Sequence, residues 1–536
     1  MKRWNGWGDE EHTYVVPRRA VEALAEWVGP GAPARDATLA EAAATVPESR
    51  LPHAPFLSFD PQQRLRHARG QSLPDWVALR SGRISTFPDA VAWPETSDDV
   101  RTLLGWAART GARLIPHGGG TSVAGHVNPD AGGGRAVTVS LRRMNHLLEL
   151  DEVSRLARFG AGVTGPELEA RLRERSLTLG HFPQSFEQST LGGWIATRSS
   201  GQQSLLYGRI ERLFAGGRVE TPRGPLVLPV FPASAAGPDL REWVLGSEGR
   251  LGFITEATVR VSPVPEREEF VGVFFPDWQH GLAAARAVAQ ARLPLCMVRL
   301  SAPEEARTML TLAGHERLLG ALEAWLRLRG AGDEKALLLL GASGTAAVVR
   351  FALGEALSLT KQRGGLSAGR TFGAQWTKNR FCAPYLRNAL WELGYAVDTF
   401  ETAAPWSAVP SMLARVEAAL RTGLQRWGER THVFTHLSHV YTDGSSIYTT
   451  VVFRLADTPE ETLERWSTLK ARASEAIVAA KGTISHQHGV GTDHARYLAA
   501  EKGALGIAAL ERALAGLDPD SVMNPGKLLP SVPGRA

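Results

Sequence analysis

The hydrophobic and polar positions along the chain predict short helices first and a strand-rich region after them. Residues 18–28 and 38–45 are rich in alanine and predict helices, but six prolines from Pro30 to Pro61 break this region into short pieces. We therefore expect residues 1–85 to form a helical extension. Apolar residues at helical spacing then follow Ser97, which predicts a helix that is capped by Ser97 and ends at Gly111.

Short apolar runs predict the strands. They lie at 90–93, 113–116, 136–141, 147–150, 156–162 and 250–261 before a boundary at Pro263 and Pro265, and at 271–275, 297–300, 336–340 and 446–453 after it. A helix is predicted over 164–175. We expect an α+β fold with one domain over 86–265, a second over 266–480 that carries an antiparallel sheet, and a final segment, 481–536, that completes the site.

Composition and charge exclude several classes of protein. The 536 residues are 43% hydrophobic, and 60 basic residues stand against 55 acidic ones, which is typical of a soluble globular protein and not of a nucleic-acid-binding or disordered chain. The two cysteines, Cys296 and Cys382, are too few and too far apart for a disulfide framework or a thiolate zinc site. The longest uncharged apolar run, 336–349, is too short to span a bilayer, and the first residues lack the apolar core of a secretion signal. We expect a cytoplasmic protein.

Glycine-rich segments carry the first chemical signal. The run PHGGGTSV at 116–123 brings backbone amides close to a ligand, but it lacks the GK[ST] ending of a nucleotide-hydrolysing loop and the GxGxxG spacing of an ordinary dinucleotide fold. By itself this run is equally typical of a tight turn. Three further segments, at 183–193, 197–201 and 246–255, also combine glycines with small hydroxyl residues. Four such segments favour one long polar ligand threaded through the domain.

The same segments carry a resemblance to a known family. PxGGGTSV, STxGGWxxTRxSG and GSEGxLGxITEAT resemble the flavin-binding domain of the vanillyl-alcohol oxidase (PCMH-type) class of flavoproteins. RWNGWGDEE near the start, FETAAPW at 400–406, SSIY at 445–448 and HQHGVG at 486–491 extend the similarity over nearly the whole chain. More narrowly, the chain therefore resembles the alkyldihydroxyacetonephosphate synthases of ether-lipid synthesis.

The resemblance implies an FAD-binding domain over 86–265 and a substrate or cap domain over 266–480. FAD is expected to lie extended, with its pyrophosphate on the first glycine run. Covalent attachment is not indicated, because that loop has no Gly-His pair where tethered relatives carry their histidine, and His117 precedes the glycines instead. The residues expected to bind FAD non-covalently are Pro116, His117, Gly118, Gly119, Gly120, Thr121, Ser122, Val123, Gln184, Ser185, Ser189, Thr190, Gly192, Gly193, Thr197, Ser199, Ser200, Glu248, Gly249, Gly252 and Ile254.

The resemblance also implies a reaction. The family exchanges the acyl group of an acyl-dihydroxyacetonephosphate for a fatty alcohol without net redox change, which requires a base, a phosphate clamp and polar groups for developing negative charge. Tyr448 coincides with the family's proposed acid/base tyrosine, and a cation or the flavin would have to lower its pKa from about 10. Arg387 coincides with the arginine that contacts the substrate phosphate, Arg299 with an arginine near the flavin, and His486 and His488 supply polar support. From the residues alone, a packed strand tyrosine and an ordinary helix-surface arginine are the favoured explanations of Tyr448 and Arg387, and a solvent-facing strand arginine explains Arg299 equally well.

Two features depart from this pattern. Gln487 stands where the family carries the middle one of three histidines, and a glutamine cannot take up a proton. This departure leaves a changed reaction, or a flavin-binding scaffold without turnover, as alternatives. His436 and His439 lie close to where related D-2-hydroxyacid dehydrogenases bind a metal, so an FAD-dependent D-2-hydroxyacid dehydrogenase or oxidase is the second candidate function. Because no carboxylate or third imidazole accompanies these two histidines in the sequence, we expect no metal and assign both to the wall of the substrate cavity.

The expected partners follow from the same comparison. We expect a lipid-like substrate with a phosphate, no nucleic acid, and a homodimer. Apolar and basic residues alternate from Arg317 and Leu318 to Arg329, with Trp325 and Leu328 among the apolar ones. This pattern fits either a peripheral membrane contact or, as we favour, a helix that packs on the cap domain.

Overall fold

The architecture is that of a computed structural model, which describes residues 2–130, 132–313 and 316–529. The strands are β1 (Ala90–Ala92), β2 (Arg113–His117), β3 (Ala136–Ser140), β4 (Leu147–Asp151), β5 (Leu156–Gly160), β6 (Leu177–Thr178), β7 (Phe214–Thr221), β8 (Gly224–Leu228), β9 (Phe253–Arg260), β10 (Ser262–Pro263), β11 (Arg267–Phe275), β12 (Met297–Ser301), β13 (Ala336–Gly344), β14 (Leu366–Gly369), β15 (Tyr395–Pro405), β16 (His432–Leu437) and β17 (Gly444–Arg454). The helices are α1 (Arg18–Val28), α2 (Leu39–Ala43), α3 (Pro61–Arg66), α4 (Leu73–Ser81), α5 (Ser97–Thr110), α6 (Gly165–Arg173), α7 (Leu191–Thr197), α8 (Ser204–Tyr207), α9 (Ile210–Leu213), α10 (Arg241–Val244), α11 (Trp278–Gln290), α12 (Pro303–Leu312), α13 (Glu316–Leu328), α14 (Ala346–Lys361), α15 (Thr371–Asn379), α16 (Ala383–Glu392), α17 (Val409–Arg421), α18 (Pro459–Ala479) and α19 (Leu498–Leu517).

The strands form sheets of different kinds on the two sides of residue 265. Before it lie a parallel sheet in the order β1-β3-β2 and an antiparallel sheet in the order β4-β5-β9-β7-β8, while β6 pairs with β10. After it lies one antiparallel sheet of seven strands in the order β14-β11-β13-β12-β16-β17-β15. Each strand predicted from the sequence is found, and the fold is α+β with an antiparallel sheet in its second half, as predicted.

The helix that was predicted to begin at Ser97 shows how the local sequence determines where a helix begins and ends. Its N-cap is Thr96 and not Ser97, so that detail of the prediction was wrong by one residue. The Thr96 hydroxyl accepts from the backbone N–H of Asp99, and the Asp99 carboxylate accepts from the backbone N–H of Thr96. Such a capping box satisfies two helix-end donors at once. Gly111 ends the helix as predicted, with a left-handed φ of 68°.

The N-terminal residues pack against the second half of the chain. Trp7, Leu73, Trp76 and Val77 belong to the same buried cluster as the inner faces of β11, β12 and β13. Buried side chains around the parallel sheet form another cluster, those around the five-stranded sheet form a further one, and Leu65 and Leu79 of the extension belong to a smaller one. The extension therefore covers a core that is built hundreds of residues later.

The end of the chain returns to the parallel sheet. The backbone N–H of Leu114 on β2 donates to Val522, and the backbone N–H of Asn524 donates back to Leu114. Met523 is fully buried among the side chains that cover this sheet. The last described residues thus fix the strand that leads into the first glycine run.

Helix α13 corresponds to the apolar and basic pattern near residue 320. Leu326 is buried and Leu322 packs with it against Phe274 and Leu337, whereas Trp325 and Leu328 are exposed. The side chains of Arg317 and Leu318 lie outside the described residues. This helix packs on the second sheet, as we favoured. In the ranges that the structure covers, none of the helices combines the length and the apolar character needed to traverse a bilayer.

Candidate active site

One cavity of about 580 Å³ lies between the N-terminal sheets and the seven-stranded sheet. Every residue that the sequence predicted to contact the cofactor lies in its wall, although these residues come from four separate segments. Arg299, Arg387, Tyr448 and His488 lie in the same wall, and His486 does not. The structure therefore brings the glycine segments and most of the predicted catalytic side chains together around one space.

The first glycine run passes very close to the second segment. A Cβ atom built on Gly119 would lie 1.9 Å from the carbonyl oxygen of Gln188, and one on Gly118 would lie 2.2 Å from the Thr190 hydroxyl. Only glycine allows this approach. The two segments consequently form one continuous surface of backbone groups and hydroxyls.

These residues fit a flavin nucleotide. The glycine run with Ser122, and Thr190 of the second segment, line the cavity, and a pyrophosphate is bound by backbone amides and hydroxyls of this kind. Thr190 also caps α7, so that the positive end of this helix dipole adds to the same region. Glu248 accepts from the backbone N–H groups of Val490 and Gly491, at 2.5 and 2.8 Å, and thereby ties the late HQHGVG segment to this wall.

His117 is a packed side chain in the cavity wall. Its ring is buried and packs against His67, with ring centroids 5.0 Å apart. Burial, reinforced by neighbouring charges, lowers the pKa of His117 well below its usual value, so the ring is neutral. This placement agrees with the expected packed side chain.

The second sheet supplies the reactive side chains. His436 on β16, Tyr448 on β17 and Glu401 on β15 are direct neighbours across the strands, so they share one face of the sheet. The rings of His436 and Tyr448 stack with centroids 4.8 Å apart, and His488 meets the edge of Tyr448 at 5.9 Å. Tyr448 thus lines the cavity between two imidazoles.

The environment of Tyr448 shifts its pKa in the direction opposite to our expectation. Burial raises the pKa of Tyr448 above its usual value, and the negative charges of Glu401 and Asp398 add to this effect. Arg299 lowers it only slightly, because its guanidinium pairs with Glu305 at 2.6 Å. The phenol is therefore protonated at neutral pH.

Arg299 belongs to a buried group that the sequence did not predict. Glu305 on α12 lies 2.6 Å from the guanidinium of Arg299 and 3.0 Å from Nδ1 of His436. Burial would raise the pKa of Glu305, but His436 and Arg299 outweigh it and lower the pKa. Arg299 thus meets a protein carboxylate, and its side chain does not point into solvent.

His486 and His488 converge on one carboxylate. Nδ1 of His486 lies 3.0 Å from Oε1 of Glu401, and Nε2 of His488 lies 3.8 Å from Oε2. Burial alone would raise the pKa of Glu401, but the two histidines lower it strongly. His488 faces the cavity, whereas His486 lies behind the wall and contacts the Tyr441 hydroxyl at 2.6 Å.

Gln487 faces the cavity between them. Its side-chain oxygen accepts from the backbone N–H of Ser200 at 3.2 Å. It therefore holds a segment that was predicted to contact the cofactor, which a glutamine can do without any change of charge.

A buried carboxylate and a third imidazole do accompany His439, contrary to our reading of the sequence. Ligand atoms of Glu401, His439 and His486 lie within 4.8 Å of one another. However, Glu401 already accepts from Ser438 and faces His486, and Nε2 of His486 faces Arg209 at 3.2 Å. A neighbouring guanidinium opposes a cation, so the absence of a metal stays our prediction. His436 lies with Glu305 instead, and both His436 and His439 line the cavity as predicted.

Arg387 on α16 has an environment suited to an anion. Its side chain is half-buried, and its Nε is shielded from solvent without a hydrogen-bond partner among the described residues. Its Nη1 donates to the carbonyl oxygen of Gln71 at 2.6 Å, and its guanidinium lies 4.3 Å from the ring centroid of Trp76. Burial lowers the pKa of Arg387 to about 10, which leaves it fully charged at neutral pH. Within the described ranges it forms no ion pair shorter than 4.0 Å. A half-buried guanidinium without a carboxylate calls for an anionic ligand.

Comparisons with known proteins agree with this geometry. The model of the FAD binding domain matches residues 88–228, and the model of the C-terminal domain of FAD linked oxidases matches residues 264–528. The fold and the site thus define a flavoprotein of the FAD-linked oxidase type, with the PCMH-type fold and FAD as its cofactor. The chain is 30% identical to alkyldihydroxyacetonephosphate synthase of Dictyostelium discoideum over 82% of this chain and 73% of that protein, and 30% identical to the enzyme of Trypanosoma brucei brucei over 83% and 73%. A solved structure of alkyldihydroxyacetonephosphate synthase covers 98% of both chains with a TM-score of 0.83 and 25% identity. The chain belongs to the alkyldihydroxyacetonephosphate synthase family.

Proposed function

We propose that this protein forms an ether lipid by exchanging the acyl group of an acyl-dihydroxyacetonephosphate for a fatty alcohol. The observation that carries the proposal is a cavity that joins the FAD-lining glycine segments to an apolar wall and to Arg387, a half-buried arginine with no carboxylate of the described residues within 4.0 Å. Met297, Met309, Leu312, Trp376 and Phe434 contribute to that apolar wall, which suits a hydrocarbon chain. We also propose that residues 86–265 hold the cofactor non-covalently and that residues 266–480 hold the substrate.

The balance of the reaction defines what the chain must supply. One carbon–oxygen bond to the fatty acid breaks, one to the alcohol forms, and a proton leaves and later returns to the carbon next to the ketone. When bound, FAD supplies an electrophilic ring that can accept and release this carbon. The protein has to hold the phosphate, move the proton and keep water away.

Arg387 holds the substrate phosphate in this proposal. Its fork of N–H donors matches a phosphate, and the stacked ring of Trp76 fixes its plane. Because none of the described carboxylates lies within 4.0 Å of it, its N–H donors that face the cavity are available to an anionic ligand.

Tyr448 and His488 divide the proton chemistry. The phenol of Tyr448 enters protonated, because burial raises its pKa, so it acts as a donor. Burial also lowers the pKa of His488 despite the nearby Glu401, and a neutral imidazole has a lone pair to accept the proton. We therefore assign the first proton transfer to His488 and the stabilisation of negative charge to Tyr448.

Product analysis tests this function. The purified FAD-loaded protein is incubated with palmitoyl-dihydroxyacetonephosphate and hexadecanol, and we expect free palmitate and an alkyl-dihydroxyacetonephosphate in equal amounts. Bleaching of the flavin by D-lactate or D-2-hydroxyglutarate without ether product would instead establish the dehydrogenase. Inertness towards both sets of substrates would indicate a flavin-binding scaffold.

A further inference from the structure

The N-terminal residues form a strap over the substrate arginine. Residues 2–9, which we call the strap, fold back on themselves through a backbone bridge between Lys2 and Asp9. The Lys2 ammonium donates to the carbonyl oxygen of Gly119 at 3.0 Å, so one end of the strap touches the first glycine run. Trp7 is buried at the other end and lies in the cavity wall.

The strap holds helix α16 next to Arg387. The side chain of Asn388 accepts from the backbone N–H of Trp7 and donates to its carbonyl oxygen, at 3.0 Å each. Asn388 is buried, and a Cβ atom on Gly6 would lie only 2.6 Å from its side-chain oxygen. The contact is therefore close on both sides and leaves no room for a side chain at position 6.

The strap also holds Gln71, which in turn holds Arg387. The amide of Gln71 donates to the carbonyl oxygen of Gly6 and accepts from the indole N–H of Trp76, at 3.3 and 2.8 Å. The main chain of Gln71 accepts from Arg387 and donates to Ser122 at 2.6 Å. Gln71 thus links the strap, the Trp76 ring, the Arg387 guanidinium and the first glycine run.

We propose that the strap is a positioning element of the substrate site, which fixes the guanidinium of Arg387 relative to the flavin-binding loop through Gln71 and Asn388. This inference rests on the proposed function, since it treats Arg387 as the group that binds the substrate phosphate. A long side chain without an ion pair needs such support. If the ligand had to order it, the lost rotational entropy would weaken ligand binding. Apart from Trp7, which lies in the cavity wall, the residues of the strap act on the ligand only through their neighbours.

The contact between Gly6 and Asn388 provides the test. Asn388→Ala removes both bonds to Trp7, and Gly6→Ala forces the same two elements apart from the other side. We expect either variant to raise the KM for palmitoyl-dihydroxyacetonephosphate about tenfold and to change kcat less than about twofold, because uniform ground-state binding is what is lost. Since both act at one contact, the double variant should be no worse than the more severe single variant. Glu392→Ala, an exposed change on the same helix, is the control.

A second measurement separates this inference from the proposed function. Binding of inorganic phosphate is followed by the change in flavin absorbance, and thermal unfolding and FAD content are recorded for each variant. If the wild type makes ether lipid and the folded, FAD-loaded variants keep its KM, the strap has no positioning role. If no protein makes ether lipid but phosphate binding weakens about tenfold in both variants, the strap inference stands and the proposed function falls. A variant that loses FAD together with phosphate affinity would overturn the inference, because the effect would then lie in the cofactor loop.

Discussion

The close approach of Gly119 to Gln188 makes the glycine run sensitive to a single methyl group. In Gly119→Ala the new Cβ would lie 1.9 Å from the Gln188 carbonyl oxygen and 3.0 Å from the Cα of Ser189. Such atoms are essentially never closer than 3.0 Å, so the two segments must separate by about 1.1 Å. Both neighbours are backbone atoms, which cannot rotate away.

The expected cost follows from that displacement. Overpacking of this kind costs about 1–3 kcal/mol, and it acts on the two segments that face the pyrophosphate. If about 1.4 kcal/mol or more of this overpacking energy is lost from the free energy of FAD binding, the dissociation constant of FAD rises at least about tenfold. We expect Gly119→Ala to be purified with less flavin and to require more FAD for reconstitution.

Absorbance near the flavin band and titration of the apoprotein with FAD measure the effect. Gly134→Ala is the matched control, because its Cβ would make only an ordinary contact, 3.6 Å from Arg113, in an exposed loop. A Gly119→Ala protein with the FAD stoichiometry and affinity of the wild type would refute the placement of the cofactor on this loop.

Three further predictions concern other parts of the molecule. Tyr448→Phe should keep its FAD but form ether lipid at least about 100-fold more slowly, since it loses the donor of the proton chemistry, and a rate within threefold of wild type in the product assay would contradict that role. Asp493→Asn should raise the free energy of unfolding by about 1–2 kcal/mol at pH 8 and hardly change it at pH 3. Burial raises the pKa of Asp493 to about 6, so the charged carboxylate destabilises the folded state above that pH. Urea unfolding at the two pH values measures the difference. Ellman's reagent should modify Cys382 quickly and Cys296 only on unfolding, because burial raises the pKa of the Cys296 thiol far more, and a fast reaction that persists in Cys382→Ser would oppose this.

The parts of the site that could be predicted from the sequence are those encoded in contiguous motifs. In each of these motifs, the residues expected to act on the ligand lie within a few positions of one another. The motifs are the glycine runs, the SSIY strand and the HQHGVG segment, and their order along the chain indicates that they belong to one ligand. The correct cap of α5 was equally accessible, because Thr96 and Asp99 have the spacing of a capping box whereas Ser97 lacks an acid three residues later.

The parts that could not be predicted depend on partners from distant strands and helices. Glu401 lies 85 positions before His486, and Gln71 lies 316 positions before Arg387, so no local pattern links them. The raised pKa of Tyr448 could not be predicted for the same reason, because Glu401 and Asp398, which add to the effect of burial, lie on another strand.

The return of the chain to the parallel sheet has a consequence for how the protein is made. Asn524 donates to the carbonyl oxygens of Glu248 and of His126, the latter 398 positions earlier, so the flavin-binding half stays open at one edge while the ribosome completes the other half. Closing so long a loop costs only slightly more than closing a shorter one, but this edge cannot close before Asn524 has been synthesised. Newly made chains should therefore acquire their flavin only after residue 524 has been added.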